Sequence, residues 1–175
     1  MAMRTRGHTP AAERAAKIVA GAGEWGAVWV VIGAAGAAAD PRRRQRWLRG
    51  AAVAPAAVLL NYAVKLAVRR PRPKLRGLPP LAGAPSRLSF PSAHATSSLA
   101  AATAFGRVEP RTRGPLYALA ATVCLTRPYL GMHYPSDVLA GAALGLAIGG
   151  LVPKVGERSL EERLIDLVAT REDGE

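Results

Sequence analysis

Residues 126–137 read TRPYLGMHYPSD, and this stretch has the most informative spacing in the chain. Arg127 is followed after five residues by His133, and His133 is followed after three residues by Asp137. Apolar segments flank the stretch, so Arg127 is predicted to close one helix while His133 and Asp137 open the next. A cation, an imidazole and a carboxylate are therefore expected together at one end of two antiparallel helices.

Two further motifs lie upstream at comparable positions. Lys65 ends an apolar segment and is followed, after six residues, by Arg72 and a proline. Residues 91–94 read PSAH, so His94 opens the next apolar segment. Because successive helices of a bundle alternate in direction, all three motifs are predicted to reach the same face of the molecule.

Apolar blocks of Ala, Val, Leu and Gly, separated by clusters of Arg, dominate the sequence. Half of the residues are hydrophobic, yet the formal net charge is +12. Long apolar blocks with the charge between them are typical of a small multispan membrane protein. We therefore predict an all-α, multispan transmembrane helical bundle with about five membrane helices. Their expected ranges are 25–39, 50–68, 93–106, 115–130 and 136–152.

A single domain is expected over residues 1–175, with a catalytic core at 50–152. Residues 1–20 are polar to amphipathic and predict an interfacial helix. Residues 157–171 predict an amphipathic tail helix, and residues 42–49 predict a basic loop facing lipid headgroups.

Local features refine this architecture. Ser92 is positioned to cap the third membrane helix, and Glu24 and Trp25 are interpreted as residues of the membrane interface. Small residues recur with helical spacing in the last membrane helix, which favours close helix packing. These are Gly141, Gly145 and Gly149.

The basic composition has two readings, a nucleic-acid partner or a membrane partner. No basic stripe with interleaved aromatic residues occurs, and the Arg residues lie between apolar blocks. We therefore expect anionic lipid and the membrane as partners, and no nucleic acid.

The single cysteine, Cys124, excludes an intramolecular disulfide and a Cys-based zinc site. The face opposite the motifs carries slightly more Lys and Arg once the motif cations are set aside, which places the motifs on the extracytoplasmic face.

The residue types suit phosphoryl transfer. Lys65, Arg72 and Arg127 can surround the oxygens of a phosphate. Ser92 and the backbone N–H groups at the start of its helix can add hydrogen bonds. Phosphoryl transfer depends mainly on positioning and charge stabilisation, which three cations can supply.

Two histidines and a carboxylate complete the predicted site. A neutral imidazole at His133 can attack phosphorus, and Asp137 can hold the other ring nitrogen of His133 in the required tautomer. His94 can protonate the departing alkoxide and then activate water. Taken singly, each histidine has an ordinary structural role at a helix end, and only the joint pattern indicates catalysis.

Taken together, the motifs resemble those of the type 2 phosphatidic acid phosphatase (PAP2) superfamily, over roughly residues 50–150. The family pattern is Lys-x6-Arg-Pro, Pro-Ser-Gly-His and Ser-Arg-x5-His-x3-Asp. Ala93 replaces the glycine and Thr126 replaces the first serine of the last motif, and neither change removes a catalytic group. The resemblance implies a core of about six helices, no cofactor and no metal requirement. It also implies that His133 is the nucleophile, Asp137 its partner, His94 the acid, and that the phosphate ligands are Lys65, Arg72, Ser92 and Arg127.

The sequence thus predicts a membrane lipid phosphatase that hydrolyses a phosphomonoester of a polyprenyl-linked lipid or a glycerolipid through a phosphohistidine. The whole chain resembles small bacterial members of the family, including those tied to polyprenyl-phosphoryl-pentose metabolism in the cell wall. A lipid-diphosphate phosphatase and a phosphotransferase are the alternatives within enzymes. An inactive lipid-phosphate-binding scaffold is the alternative from another class. The sequence leaves open whether the chain forms a homo-oligomer.

Overall fold

Six α-helices form the structure, a computed structural model that describes residues 5, 7–75 and 77–152. The tail helix expected at 157–171 lies outside the described residues. The helices are α1 (Pro10–Ala22), α2 (Ala27–Ala39), α3 (Arg44–Val68), α4 (Ala93–Val108), α5 (Arg113–Tyr129) and α6 (Pro135–Gly150). Short 3-10 turns at Glu24–Gly26, Pro41–Arg43 and Pro110–Thr112 precede α2, α3 and α5.

In the segment where an interfacial helix is expected at 1–20, helix α1 begins at Pro10. The Thr9 side chain accepts a hydrogen bond from the backbone N–H of Ala12, and proline suits the first helical position. After α1 the helix breaks, because Trp25 and Gly26 adopt positive φ angles of 53° and 79°. Helices α1 and α2 meet there at 48°.

The basic stretch at 42–49, predicted as a loop, is helical. The carboxylate of Asp40 accepts from the backbone N–H of Arg43, which starts a 3-10 turn at Pro41 that continues into α3. The Arg43 guanidinium also donates to the Val108 carbonyl at 2.8 Å and pairs with Glu109 at 2.9 Å. These contacts attach the start of α3 to the end of α4.

Helix α4 is the centre of the bundle. It packs against α3, α5 and α6, and most of its side chains are buried. The Trp29 indole N–H of α2 donates to the Ser98 hydroxyl of α4 at 3.0 Å. Because Ala and Gly predominate along these contacts, the helices approach closely.

The small-residue run in α6, predicted to allow close helix packing, faces α4. A methyl group at Gly141 would lie 2.6 Å from the Ser92 carbonyl oxygen, and methyl groups at Gly145 and Gly149 would overlap the backbone of α4. Only glycine permits this approach, so the run fixes the α4–α6 spacing. It thereby positions the start of α4 beside the start of α6.

The expectation of about five membrane spans is met only in part. Within the described part of the chain, Pro41–Val68 is the one helix long and apolar enough to cross a membrane alone. The bent pair formed by Pro10–Ala22 and Glu24–Ala39 meets the same criterion as a unit. Pro135–Gly150 is apolar but shorter.

Candidate active site

Helices α3 and α5 end where α4 and α6 begin, and we call this end of the bundle the site end. Lys65 and Arg127 lie in the last turns of α3 and α5, and His94 lies in the first turn of α4. These three residues, with Arg72 and His133 from the connecting segments, line one pocket. The predicted convergence of the three motifs is therefore present in the fold.

His133 lies in the turn before α6 and is buried. The Arg72 guanidinium lies 3.1 Å from its Nε2 atom. Because a guanidinium only donates, Nε2 must carry a lone pair, and the ring proton is then on Nδ1. Burial lowers the pKa of His133 to about 4, although Asp137 acts in the opposite direction. The imidazole is thus neutral at physiological pH, with its lone pair directed into the pocket.

Asp137 is fully buried beneath His133. Its Oδ2 atom lies 3.6 Å from His133 Nδ1, a distance of electrostatic contact that exceeds a hydrogen bond. The same oxygen accepts the backbone N–H of Tyr134 at 2.9 Å. The expected Asp137–His133 pair is therefore present in position, but its hydrogen bond is not closed in this structure.

Arg70 is a functional candidate that the sequence interpretation missed. Its guanidinium donates to Asp137 Oδ1 at 3.0 Å and to the Ser136 hydroxyl, and it lies 4.1 Å from the centre of the Tyr134 ring. The positive charge of Arg70 holds the Asp137 carboxylate in place. A second Arg-Pro pair, directly before the motif pair at Arg72, was the available signal.

Unpaired polar atoms surround the pocket. The Ser92 hydroxyl and Arg127 Nε are buried without a hydrogen-bond partner among the described residues, and the Ser86 hydroxyl is in the same condition. Buried polar groups without partners are costly. Ser86 and Arg127 line the pocket, so an anion there can accept from these two groups, and Ser92 precedes the lining residue Ala93.

The helix cap expected at Ser92 is confirmed in position but not in hydrogen bonding. Ser92 occupies the N-cap position of α4, but its side chain makes no capping hydrogen bond. Its backbone N–H donates instead to the Asp137 carbonyl at 2.9 Å, which joins the start of α4 to the start of α6. The hydroxyl therefore has no hydrogen-bond partner among the described residues.

Lys65 is almost fully buried, and its ammonium group donates to two backbone carbonyls. The acceptors are Ser89 at 3.2 Å and Pro91 at 2.6 Å. Lys65 therefore supports the segment that carries Ser92. Its third N–H remains available to a phosphate oxygen.

His94 faces the break between α1 and α2. Its Nε2 atom donates to the Ala20 carbonyl at 3.0 Å and lies 3.6 Å from the Glu24 carboxylate. Glu24 and Trp25 both line the pocket. The sequence favoured a position at the membrane interface for both residues over a role at the site, and the structure places both at the wall of the pocket.

A neutral imidazole beside three cations and unpaired donors, in an all-helical bundle, is an arrangement suited to phosphoryl transfer. The sequence model of the PAP2 superfamily matches residues 47–160, and the chain belongs to this superfamily. It is a lipid phosphatase of the PAP2 family and acts as a phosphoric monoester hydrolase.

Relatives and one solved structure agree with this assignment. The chain is 45% identical to a decaprenylphosphoryl-5-phosphoribose phosphatase of Mycobacterium tuberculosis, over 73% of this chain and 71% of the relative. It is 39% identical to a lipid A 1-phosphatase of Rhizobium etli, over 50% of this chain and 40% of the relative. The crystal structure of a transmembrane PAP2 type phosphatidylglycerolphosphate phosphatase from Bacillus subtilis matches with a TM-score of 0.69 and 26% identity. That match covers 86% of this chain and 79% of the other.

Proposed function

We propose that the protein hydrolyses the phosphomonoester of a polyprenyl-phosphoryl-pentose phosphate through a phosphohistidine on His133. The observation that carries the chemistry is the neutral Nε2 of His133, which faces a pocket of cations and unpaired donors. The substrate class rests on the 45% identity to a decaprenylphosphoryl-5-phosphoribose phosphatase over 73% of the chain.

In the first half-reaction the substrate phosphate replaces His133 as the partner of Arg72. Lys65, Arg127 and the Ser92 hydroxyl bind its other oxygens. His133 Nε2 attacks phosphorus, the N–P bond forms and the bond to the ester oxygen breaks. His94, in its imidazolium form, gives a proton to the leaving alkoxide and becomes a neutral imidazole.

In the second half-reaction water replaces the alcohol. His94, now without its proton, accepts one from the water as the oxygen attacks phosphorus. The N–P bond breaks, and inorganic phosphate leaves with its charge still balanced by the cations. Asp137 stabilises the positive charge that His133 carries while it is phosphorylated, and Arg70 keeps Asp137 in position.

We place the protein in the cell membrane as a multi-pass protein, with α2 to α6 as five short spans. Exposed apolar side chains on several of these helices support lipid contact. They include Val31, Leu59, Leu125, Leu139 and Leu146. The site end then faces the extracytoplasmic side, since more of the loop cations lie at the other end.

The test is phosphate release by detergent-purified protein in EDTA. A panel of a polyprenyl-phosphoryl-pentose phosphate, phosphatidic acid, phosphatidylglycerophosphate and a polyprenyl diphosphate is compared with and without His133→Ala. Fastest release from the pentose phosphate, lost in the variant, is expected. Release that requires an added divalent metal, or that survives in His133→Ala, contradicts the mechanism.

Product analysis separates the alternatives. A phosphotransferase passes the phosphoryl group to a hydroxyl acceptor, so transferred product exceeds free phosphate. A diphosphatase prefers the polyprenyl diphosphate. A scaffold binds lipid phosphate without turnover, so it would release phosphate from no member of the panel.

A further inference from the structure

The break between α1 and α2 forms one wall of the active-site pocket. Trp25 has a φ of 53°, which a bulky side chain rarely adopts, and the next residue, Gly26, has a φ of 79°. Unfavourable backbone geometry of this kind persists where the surrounding structure enforces it, often at functional sites. A methyl group at Gly23 would lie 3.1 Å from both His94 and Val123, so the break packs tightly against α4 and α5.

The break directs a carboxylate into a pocket built for an anion. Glu24 lies 3.6 Å from His94 Nε2 and close enough to Arg72 and Arg127 to interact with both charges. Its side chain is 44% exposed, so it is accessible to a bound substrate. A negative charge here weakens phosphate binding in general. A carboxylate at this position is therefore useful only if it favours some substrates over others.

Trp25 stands beside this carboxylate at the pocket wall. Its side chain lines the pocket, and the residue is 59% exposed. An indole presents a flat apolar face on which the C–H groups of a sugar can pack. A carboxylate accepts charge-assisted hydrogen bonds from hydroxyl groups. A carboxylate next to an accessible indole is the chemistry of carbohydrate recognition.

We propose that Glu24 and Trp25 form a leaving-group subsite that selects a hydroxyl-bearing sugar at the leaving oxygen and disfavours a phosphate bonded directly to that oxygen. The inference rests on the proposed function, because His94 marks the position of the leaving oxygen and Glu24 adjoins His94. A pentose offers free hydroxyls to the carboxylate. In a diphosphate the leaving group is itself a phosphate and would lie against the carboxylate, whereas the phosphodiester of the pentose substrate is separated from the leaving oxygen by the sugar. The esterified glycerol of phosphatidic acid has no hydroxyl to donate.

The experiment measures kcat/KM on three substrates that share the transferred phosphate. They are farnesylphosphoryl-5-phosphoribose, phosphatidic acid and farnesyl diphosphate. The variants are Glu24→Ala, which removes charge and acceptor, and Glu24→Gln, which removes charge alone. Glu13→Gln makes the same chemical change in α1, where Glu13 pairs with His8 outside the pocket, and serves as the control. Thermal midpoints in detergent show that each variant is folded.

For Glu24→Ala, the ratio of kcat/KM for the sugar substrate to that for phosphatidic acid is expected to fall by about tenfold or more, the size expected for a lost charged hydrogen bond. For Glu24→Gln, the ratio for farnesyl diphosphate to phosphatidic acid is expected to rise several-fold, since repulsion is removed. Trp25→Ala is expected to raise KM for the sugar substrate. The control keeps the wild-type ratios.

Other outcomes overturn the subsite. If Glu24 acts only by pairing with His94, Glu24→Ala slows the sugar substrate and phosphatidic acid equally, and the ratio does not change. Unchanged ratios in both Glu24 variants of an active enzyme reject the subsite while leaving the proposed function intact. A wild-type protein that hydrolyses none of the three substrates rejects the proposed function, and this inference with it.

Discussion

The protonation of His133 determines whether it can attack phosphorus. Its contact with a guanidinium requires the lone pair on Nε2, and burial lowers its pKa from the usual 6.5 to about 4. A lowered pKa means that the ring stays neutral as the pH falls through 6.5 and gains a proton only near pH 4. The proposed nucleophile is thus preserved in mildly acidic surroundings.

Histidine-selective 15N NMR of the substrate-free protein tests this directly, because the chain has three histidines. We expect the His133 signals to show the Nδ1–H tautomer and to remain constant between pH 7.5 and 5. His133→Ala assigns the signals. A His133 ring that titrates near pH 6.5, or that carries its proton on Nε2, contradicts the assignment.

A second prediction concerns His94 as the proposed acid. His94→Ala is expected to lower kcat on a lipid alkyl phosphate by about 10²–10⁴-fold, the usual contribution of a general acid. The loss on p-nitrophenyl phosphate is expected to be smaller, since nitrophenolate leaves without a proton. Equal losses on the two substrates would exclude this role.

The sequence predicted the pocket residues because their chemistry is concentrated in three spaced motifs. It did not predict the partners of Asp137, since the Arg-Pro pair at Arg70 shows a recurrence in the loop but not which side chain Arg70 contacts. It also did not place Glu24 beside His94, because that contact depends on the backbone conformation of Trp25 and Gly26. Motif spacing indicates which residues act together in the chemistry. The contacts of Arg70 and Glu24 depend instead on how segments distant in the sequence pack.

At the level of elements, the interface between α4 and α6 sets the geometry of the site. The starts of these helices carry His94, Ser92 and Asp137, and the glycine run of α6 fixes their separation. The helical spacing of the glycines predicted this packing. Helix ends were less predictable, because residues 44–49 depend on the turn begun at Asp40 and not on their own charges.

Gly145→Ala tests this interface. The added methyl group would overlap the Thr96 carbonyl of α4, so we expect a lower thermal midpoint in detergent and a destabilisation of about 1–3 kcal/mol, typical of overpacking. Gly114→Ala in α5 is the matched control, because its methyl group meets nothing within 4 Å. Equal midpoints for the two variants would show that the close approach is not required.

At the level of the whole molecule, the orientation in the membrane can be tested by cysteine labelling. In a Cys124→Ala background, Ala84→Cys places a thiol in the exposed loop at the site end, and Arg111→Cys places one at the opposite end. A membrane-impermeant maleimide is expected to label position 84 in intact cells and position 111 only after permeabilisation. The reverse pattern would place the site on the cytoplasmic side.

The most direct test of the central claim is the capture of the phosphorylated enzyme. The purified protein is mixed with its best lipid phosphate, quenched in base within milliseconds and mapped by mass spectrometry. We predict an acid-labile, base-stable phosphate on His133 that is absent from His133→Ala. Turnover with phosphate on another residue, or direct transfer to water without a phosphoenzyme, would contradict His133 as the nucleophile.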